Sequence, residues 1–132
     1  MIDHLSTYAT NHAATRSFYD AVLGVLGFGI QAEMTLDTDE ELAGRRICAW
    51  GPAGRTVFWV IEVKEAYTPR HVAFTAPDRE TVDRFHAAGL AAGGADHGAP
   101  GVRAIYHPDY YGAFLLDPYG NNVEAVCHAP VV

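Results

Sequence analysis

The chain has 132 residues, of which 49% are hydrophobic and 19% charged, and its formal net charge is −7. The length fits one domain or two small modules that share a core, and the acidic balance argues against a nucleic-acid partner. Apolar runs such as Val57 to Ile61 are too short to span a bilayer, so no membrane partner is expected. The first residues lack the basic and apolar regions of a signal peptide, and Cys48 and Cys127 lie in apolar strand-like segments. We therefore expect a cytoplasmic protein with two buried free thiols.

The first half of the chain predicts one helix among four strands. Phe18 and Val22 recur at helical spacing within residues 12–26, and Gly27 is typical of a helix end. Apolar and β-branched residues predict strands in the remainder, bounded by glycine and proline turns. These predicted strands span residues 2–9, 28–36, 46–50 and 56–63.

The second half repeats this order. Residues 79–92 predict a helix, for which Asp78 is a suitable N-cap and Gly93-Gly94 a stop. Turn residues from Gly98 to Gly101 predict a loop. The predicted strands of this half span residues 71–76, 102–107, 112–116 and 122–127. Each half is therefore a βαβββ module, the first at about residues 1–66 and the second at about residues 67–132.

The two modules are related by an offset of 67 residues, which carries His4 onto His71 and Phe18 onto Phe85. Such a repeat decides the architecture, because each unit needs its neighbour to bury an apolar face. A lone four-stranded sheet with one helix cannot cover both of its faces. We therefore predict an α+β fold in which two βαβββ modules form a curved mixed sheet around a cleft, with the helices outside.

Three side chains predict a metal site in this cleft. His4 and His71 begin equivalent strands, so a pseudo-two-fold relation between the modules would bring them together, and Glu124 lies in the last strand. Two imidazoles and one carboxylate suit a divalent ion such as Mn, Fe, Co, Ni or Zn. Such a set leaves coordination positions open for substrate or water.

A second group of candidates lies just before and within the penultimate strand. Tyr110 or Tyr111 is placed to hydrogen-bond a metal-bound oxygen, and His107 is a candidate proton shuttle. The stretch from His107 to Phe114 is dense in rings with polar tips, so it is also a candidate wall of a substrate pocket.

Four segments together resemble the vicinal oxygen chelate superfamily, which includes glyoxalase I, extradiol dioxygenases, fosfomycin-resistance enzymes and bleomycin-resistance proteins. They are Ile2–Leu5, Arg16–Gly24, Arg70–Phe74 and Asp117–Glu124. The resemblance spans both modules, and it implies the paired βαβββ fold, a small-molecule substrate and a homodimer.

The resemblance also implies that metal ligands come from the first and last strand of each module. It assigns His4, His71 and Glu124 as ligands, but the fourth position, a carboxylate in glyoxalase I, falls on Trp59. Glu62 is three residues further on, and an odd step along a strand points to the opposite face of the sheet. A three-ligand site is therefore expected, unless a register slip brings Glu62 into it.

Two kinds of function follow. The first is a divalent-metal-dependent enzyme, a lyase or isomerase or a dioxygenase, that acts on a small oxygenated substrate, with Glu124 as a catalytic group. The alternative is a metal-free protein of the bleomycin-resistance type that sequesters a small molecule among Trp50, Trp59, Tyr110 and Tyr111. A fosfomycin-type transferase is disfavoured, because the sequence shows no basic cluster near the proposed ligands.

Overall fold

The computed structural model of the chain describes residues 3–37, 42–65 and 69–131. Residue 2, where the first strand was predicted to begin, and the predicted module boundary at residues 66–67 lie outside these ranges. In chain order the elements are β1 (Leu5–Ala9), α1 (His12–Val25), β2 (Gly29–Leu36), β3 (Arg45–Gly51), β4 (Phe58–Glu62), β5 (His71–Thr75), α2 (Arg79–Ala91), β6 (Ala95–Val102), β7 (Tyr111–Leu116) and β8 (Asn122–Cys127). Neither helix is long and apolar enough to span a membrane.

The strands form two four-stranded sheets of identical topology. The first sheet has the order β1-β4-β3-β2, and the second has the order β5-β8-β7-β6. In each sheet the first strand of the module pairs in parallel with the last, and the other neighbours are antiparallel. The predicted α+β fold of two βαβββ modules is thus confirmed, and the described strands do not close a barrel.

The two helices begin and end through the same chemistry. The Asn11 Oδ1 accepts a hydrogen bond from the Ala14 amide at 3.1 Å, and the Asp78 Oδ1 accepts one from the Thr81 amide at 2.7 Å. These caps satisfy amides that have no partner within the helix. Gly27 and Gly93 follow the helices with φ of 84° and 94°, a conformation that side chains with a Cβ disfavour.

One apolar core joins the modules. Each helix lies on its own sheet and also contacts the other helix. Phe18 and Val22 of α1, Phe85 of α2 and Leu115 of β7 are fully buried in a single cluster. Burying a side chain of this size stabilises the fold by about 1.5–3 kcal/mol. Because side chains of both modules are buried in the same cluster, neither module completes its core alone.

Two helical glycines test this packing. A Cβ on Gly89 of α2 would lie 2.2 Å from Leu115 Cδ1, whereas a Cβ on Gly24 of α1 would meet nothing within 4 Å. We expect Gly89→Ala to lower the free energy of unfolding by about 1–3 kcal/mol through overpacking. Gly24→Ala should raise it by about 0.5–1 kcal/mol through helix propensity. Urea denaturation of both variants checks this, and changes of the same sign would contradict the packing described.

A buried polar network ties the turn between β7 and β8 to the first module. The Tyr19 hydroxyl donates to Asp117 Oδ2 at 2.7 Å, and the Asn121 amide donates to Thr7 Oγ1 at 3.1 Å. The same amide donates to Asp117 Oδ2, and its oxygen accepts from the Arg70 backbone amide at 2.7 Å. This part of the Asp117–Glu124 motif therefore connects the modules structurally.

The prediction for residues 98–107 was wrong. The structure has a strand, Ala95–Val102, where a loop was predicted over Gly98 to Gly101, and turns at residues 104–106 and 108–109 where the strand 102–107 was predicted. The strand β6 lies at the edge of its sheet, and its pairing with β7 is interrupted by register shifts. Edge strands with bulges accept the glycine and proline residues that elsewhere indicate a turn.

Candidate metal and substrate site

The second sheet carries a buried carboxylate on the face that points away from α2, which we call the open face. On β8, Val123 and Ala125 belong to the apolar core, so Glu124 between them points to the open face. It pairs with Ala73 of β5 and with Phe114 of β7. Glu124 is only 2% exposed, although its side chain lies on the side of the sheet opposite the apolar core.

The two oxygens of Glu124 have different partners. Oε2 lies 3.2 Å from His71 Nε2, and the imidazole is half exposed. Oε1 accepts a hydrogen bond from the Tyr110 hydroxyl. Burial, and then the hydrogen bond to Glu124, raise the pKa of Tyr110, so its hydroxyl stays protonated and remains a donor. His71 and Tyr110 therefore hold the carboxylate from two sides.

Gly112 makes room for this arrangement. A Cβ at this position would lie 3.1 Å from Tyr110 Cε1 and 3.3 Å from Glu124 Oε1. A larger residue would push the Tyr110 ring away from the carboxylate, so the glycine on β7 is part of the site.

His107 belongs to a ring cluster beside Tyr110. Its Nε2 lies 2.8 Å from His128 Nδ1, and its Nδ1 accepts from the Asp109 amide at 3.1 Å. Because Nδ1 accepts this hydrogen bond, the ring proton lies on Nε2, which donates to His128 Nδ1. The rings of His107 and His128 lie 5.5 Å and 5.3 Å from that of Tyr110. The pair is adjacent to Tyr110 through ring contacts and makes no hydrogen bond to its hydroxyl.

His4 does not join His71 and Glu124 within one chain. Its Nδ1 lies 2.8 Å from Asp3 Oδ2, and the residue lines a cavity of about 190 Å³ between β1 and β5. Across residues 3–37, 42–65 and 69–131, no three His, Cys, Asp or Glu side chains are grouped so that they could hold a metal ion. Of the three expected ligands, the chain brings together two.

The register shows what replaces the fourth ligand of the resemblance. Ser6 pairs with Trp59 in the first sheet as Ala73 pairs with Glu124 in the second, so Trp59 is the counterpart of Glu124. Glu62 lies an odd number of residues further on and accepts a hydrogen bond from the Arg46 guanidinium at 2.7 Å. That bond, more than any other contact, lowers the pKa of Glu62. No register slip brings Glu62 to the position of Trp59.

Tyr111 is also apart from the site. Its hydroxyl donates to Asp83 of α2 at 2.6 Å, and the Arg79 guanidinium lies 4.9 Å from its ring centre. Consecutive residues of an extended chain point to opposite sides, so Tyr110 reaches the open face and Tyr111 reaches the helix.

Two residues of the open face were missed at the level of sequence. Phe114 lies beside Glu124, with its ring centre 6.4 Å from that of His71. The Arg103 guanidinium lies 5.6 Å from the centre of the Phe114 ring. Strand parity from Glu124 and a hairpin pairing would have found Phe114. The wrong strand assignment for residues 102–107 hid Arg103, which places a basic group near the site where none was expected.

A second cavity, of about 520 Å³, lies beside α1 and is lined by two arginines that are already paired. Arg16 contacts Glu33 at 2.7 Å, and Arg46 contacts Glu62 at the same distance. Beneath them, Cys48 Sγ lies 3.5 Å from His12 Nε2.

The Cys48–His12 pair is a neutral structural contact. Burial raises the pKa of the Cys48 thiol to about 12 and lowers that of His12. A thiol that does not ionise near neutral pH is a poor nucleophile. Cys48 and Cys127 are both free and buried, as predicted.

His12 should make stability depend on pH. Its pKa is lowered from 6.5, first by burial and then by Arg46, so the unfolded chain takes up a proton that the folded chain excludes. The stabilising contribution is therefore present above pH 6.5 and lost as the pH falls through the folded-state pKa. We expect the free energy of unfolding to decrease less between pH 7.5 and about 5 in His12→Gln than in the wild type. Urea denaturation at both values checks this, and equal decreases would show that His12 is not the cause.

The fold and the open face together define a class of protein, namely a small α+β protein of two βαβββ modules with a carboxylate–imidazole pair on an exposed sheet face. The sequence model of the glyoxalase/bleomycin resistance protein/dioxygenase superfamily matches residues 1–125. The chain belongs to this superfamily, as the sequence motifs predicted. No match was found among curated proteins.

Solved structures agree with this assignment. A glyoxalase/bleomycin resistance protein from Albidiferax ferrireducens T118 is 29% identical, with a TM-score of 0.73, over 98% of this chain and 99% of that one. A lactoylglutathione lyase from Agrobacterium tumefaciens is 20% identical, with a TM-score of 0.63, over 96% of this chain and 92% of that one. A glyoxalase/bleomycin resistance protein/dioxygenase family enzyme from Burkholderia phytofirmans PsJN is 18% identical, with a TM-score of 0.65, over 96% of this chain and 98% of that one. The last two likenesses concern the fold alone.

Proposed function

We propose that the protein is a divalent-metal-dependent enzyme, a lyase or isomerase or a dioxygenase, that acts on a small oxygenated molecule. The observation that carries this proposal is the pair formed by His71 Nε2 and the buried Glu124 Oε2, 3.2 Å apart on the open face. A carboxylate removed from water needs a compensating charge, and a half-exposed imidazole supplies it only while protonated. A divalent cation bound beside the carboxylate would supply this charge.

The donor set fits such an ion. Metal bonds to imidazole nitrogen and carboxylate oxygen are about 2.0–2.2 Å long, so adjacent ligands of one ion lie roughly 3 Å apart. His71 and Glu124 have this separation and would hold Fe, Mn, Ni, Co or Zn. When bound, the ion would act as a Lewis acid toward substrate oxygens.

The residues around this pair would orient the Glu124 carboxylate so that it can act as a base. Tyr110 fixes the second oxygen of Glu124 and keeps the carboxylate turned toward His71. A carboxylate held in this way is positioned to take a proton from a substrate carbon or hydroxyl. His107 and His128 pack against the Tyr110 ring and would hold it in place beside Glu124.

The third ligand, His4, is proposed to come from a second copy of the chain. Within one chain His4 faces Asp3, and the open face beside His71 is exposed. A homodimer that covers this face would bring the partner's first strand to His71 and Glu124. The resemblance to dimeric relatives supports this arrangement.

Metal content tests the proposal directly. The purified protein, reconstituted with each candidate ion and desalted, should retain about one ion per chain by elemental analysis. His71→Ala should retain none, and His97→Ala, which alters an exposed histidine, should behave as the wild type. Retention by His71→Ala, or none by the wild type, would overturn the proposed metal site.

A mixed dimer tests the origin of His4. His4→Ala and His71→Ala chains, each unable to bind metal, are mixed and allowed to exchange. If His4 acts across the dimer, each mixed dimer has one intact site, and bound metal should recover to about a quarter of the wild-type level. No recovery, with exchange shown by mass spectrometry, would place His4 in the same chain as His71.

A metal-free binding protein is the second candidate. Trp59 replaces the carboxylate at the position equivalent to Glu124, so one of the four ligand positions of the resemblance is apolar. If the wild type takes up no metal after reconstitution, this function becomes the favoured one, and thermal-shift screening of aromatic small molecules would follow.

A further inference from the structure

Arg103 carries a positive charge at the edge of the open face. Its guanidinium donates to the Ala99 carbonyl at 2.6 Å and lies over the Phe114 ring. Among the described residues, no carboxylate forms an ion pair with it. The side chain is half-buried, and it lacks the glutamate partner that Arg16 and Arg46 each contact at 2.7 Å. A half-buried arginine without an anion has a donor fork available for one.

Two glycines of β6 make room for this guanidinium. A Cβ on Gly101 would lie 3.0 Å from Arg103 Nη1, and a Cβ on Gly98 would lie 3.3 Å from Nη2. The absence of side chains at both positions lets the guanidinium lie against the strand and over Phe114. The position of the guanidinium is therefore determined by the edge strand, because Gly98, Gly101 and the Phe114 ring surround it.

The open face presents its groups in a line. The Arg103 cation lies at the edge of the sheet, the Phe114 ring follows on β7, and the His71–Glu124 pair lies on β5 and β8. Neighbouring strands are about 4.8 Å apart, so the line from the edge to β8 spans roughly 10 Å. One aromatic ring with a carboxylate at one end and two neighbouring oxygens at the other fits this distance once its hydrogen bonds to the protein are included.

We propose that Arg103 is a specificity-determining residue that binds the carboxylate of a small planar anion. The ring of this molecule would lie beside Phe114, between Arg103 and the His71–Glu124 pair, and its neighbouring oxygens would face His71 and Glu124. The second part rests on the proposed function. A guanidinium binds a carboxylate through two parallel hydrogen bonds, a geometry that a neutral amide does not reproduce. With a net charge of −7, the protein would otherwise repel an anion, so a local cation is needed for selection.

The test compares two ligands that differ only in charge. 3,4-Dihydroxybenzoate and 3,4-dihydroxybenzamide have the same ring and the same neighbouring oxygens. In calorimetric titration of the zinc-loaded protein, the acid should bind about tenfold more tightly than the amide. In Arg103→Gln this preference should vanish through weaker binding of the acid, with the amide unchanged. Arg84→Gln, which removes an exposed arginine of α2, should keep the preference. Equal binding of acid and amide by the wild type, or a preference that survives in Arg103→Gln, would overturn the proposal.

A second variant covers the case in which Arg103→Gln does not fold. Gly101→Ala keeps every charge but displaces the guanidinium, and the acid-over-amide preference should fall several-fold. An unchanged preference in Gly101→Ala would count against the proposed position of the anion.

A metal-free titration separates this inference from the proposed function. Benzoate and benzamide lack chelating oxygens, so their comparison in chelator-treated protein reports on Arg103 alone. A preference for benzoate that Arg103→Gln abolishes, together with no metal uptake, would keep this inference and reject the metal enzyme. Metal uptake with no preference for benzoate over benzamide would do the reverse.

Discussion

Glu124→Gln is expected to lower the affinity for divalent metal at least about a hundredfold while the protein stays folded. The substitution keeps the size of the side chain but replaces the charged oxygen beside His71 Nε2. Residues that only orient metal ligands change affinity by about 10–100-fold, so loss of a ligand should exceed that range. The fold should survive, because the variant removes a buried charge rather than packing. Metal titration by calorimetry, with thermal unfolding of the metal-free proteins, measures both effects.

Glu62→Gln is the matched control for this prediction. It removes a carboxylate of β4 in the first sheet, which points to the face opposite Trp59 and pairs with Arg46. Metal affinity should remain within about twofold of the wild type, because Glu62 lies in the first sheet, away from His71 and Glu124. The fold should also survive, since a surface ion pair contributes little to stability. If Glu62→Gln lowers metal affinity as much as Glu124→Gln does, the site is not on the open face of the second sheet.

Asn121→Ala is expected to lower the free energy of unfolding by about 3 kcal/mol. The Asn121 side chain is almost fully buried and bonds Thr7, Asp117 and the Arg70 amide. Its loss leaves several buried polar groups short of a partner, each at a cost of about 1–3 kcal/mol, and partial relaxation offsets some of this. Since these bonds join the turn after β7 to β1, the variant should weaken the contact between modules. Urea denaturation at constant pH measures the change.

The neighbouring amide provides the comparison. Asn122 Oδ1 is buried but makes no hydrogen bond, so Asn122→Ala should change the free energy of unfolding by less than about 1 kcal/mol. A loss in Asn122→Ala as large as that in Asn121→Ala would mean that truncation of any side chain at this turn, rather than the network, is responsible.

The architecture was predictable because its signals are local and occur twice. The helical spacing of Phe18 and Val22, the cap at Asp78 and the glycine after each helix mark α1 and α2 within a few residues of their observed ends. The 67-residue offset then shows that the second half repeats the first, which leaves the paired βαβββ fold as the consistent arrangement. The predicted fold and superfamily are both confirmed.

The site was predictable only in part. Glu124 interrupts an apolar strand, and His71 begins the parallel strand next to it, so their proximity follows from sheet pairing within one module. The parity of an extended chain likewise separates Trp59 from Glu62, and the observed register agrees. Each of these inferences needs only neighbouring strands, whose register the alternating pattern of burial determines.

The sequence alone determined the two helices, every strand except β6, the repeat of the module and the pairing of His71 with Glu124. Only the tertiary structure decided that His4 lies apart from that pair, that Tyr110 rather than Tyr111 reaches Glu124, and that Arg103 lies over Phe114. The position of His4 depends on how the two sheets are placed relative to each other, and the positions of Tyr110 and Arg103 depend on how the bulged edge strand β6 pairs with β7. Both are set by packing between residues far apart in the chain, which local spacing does not encode.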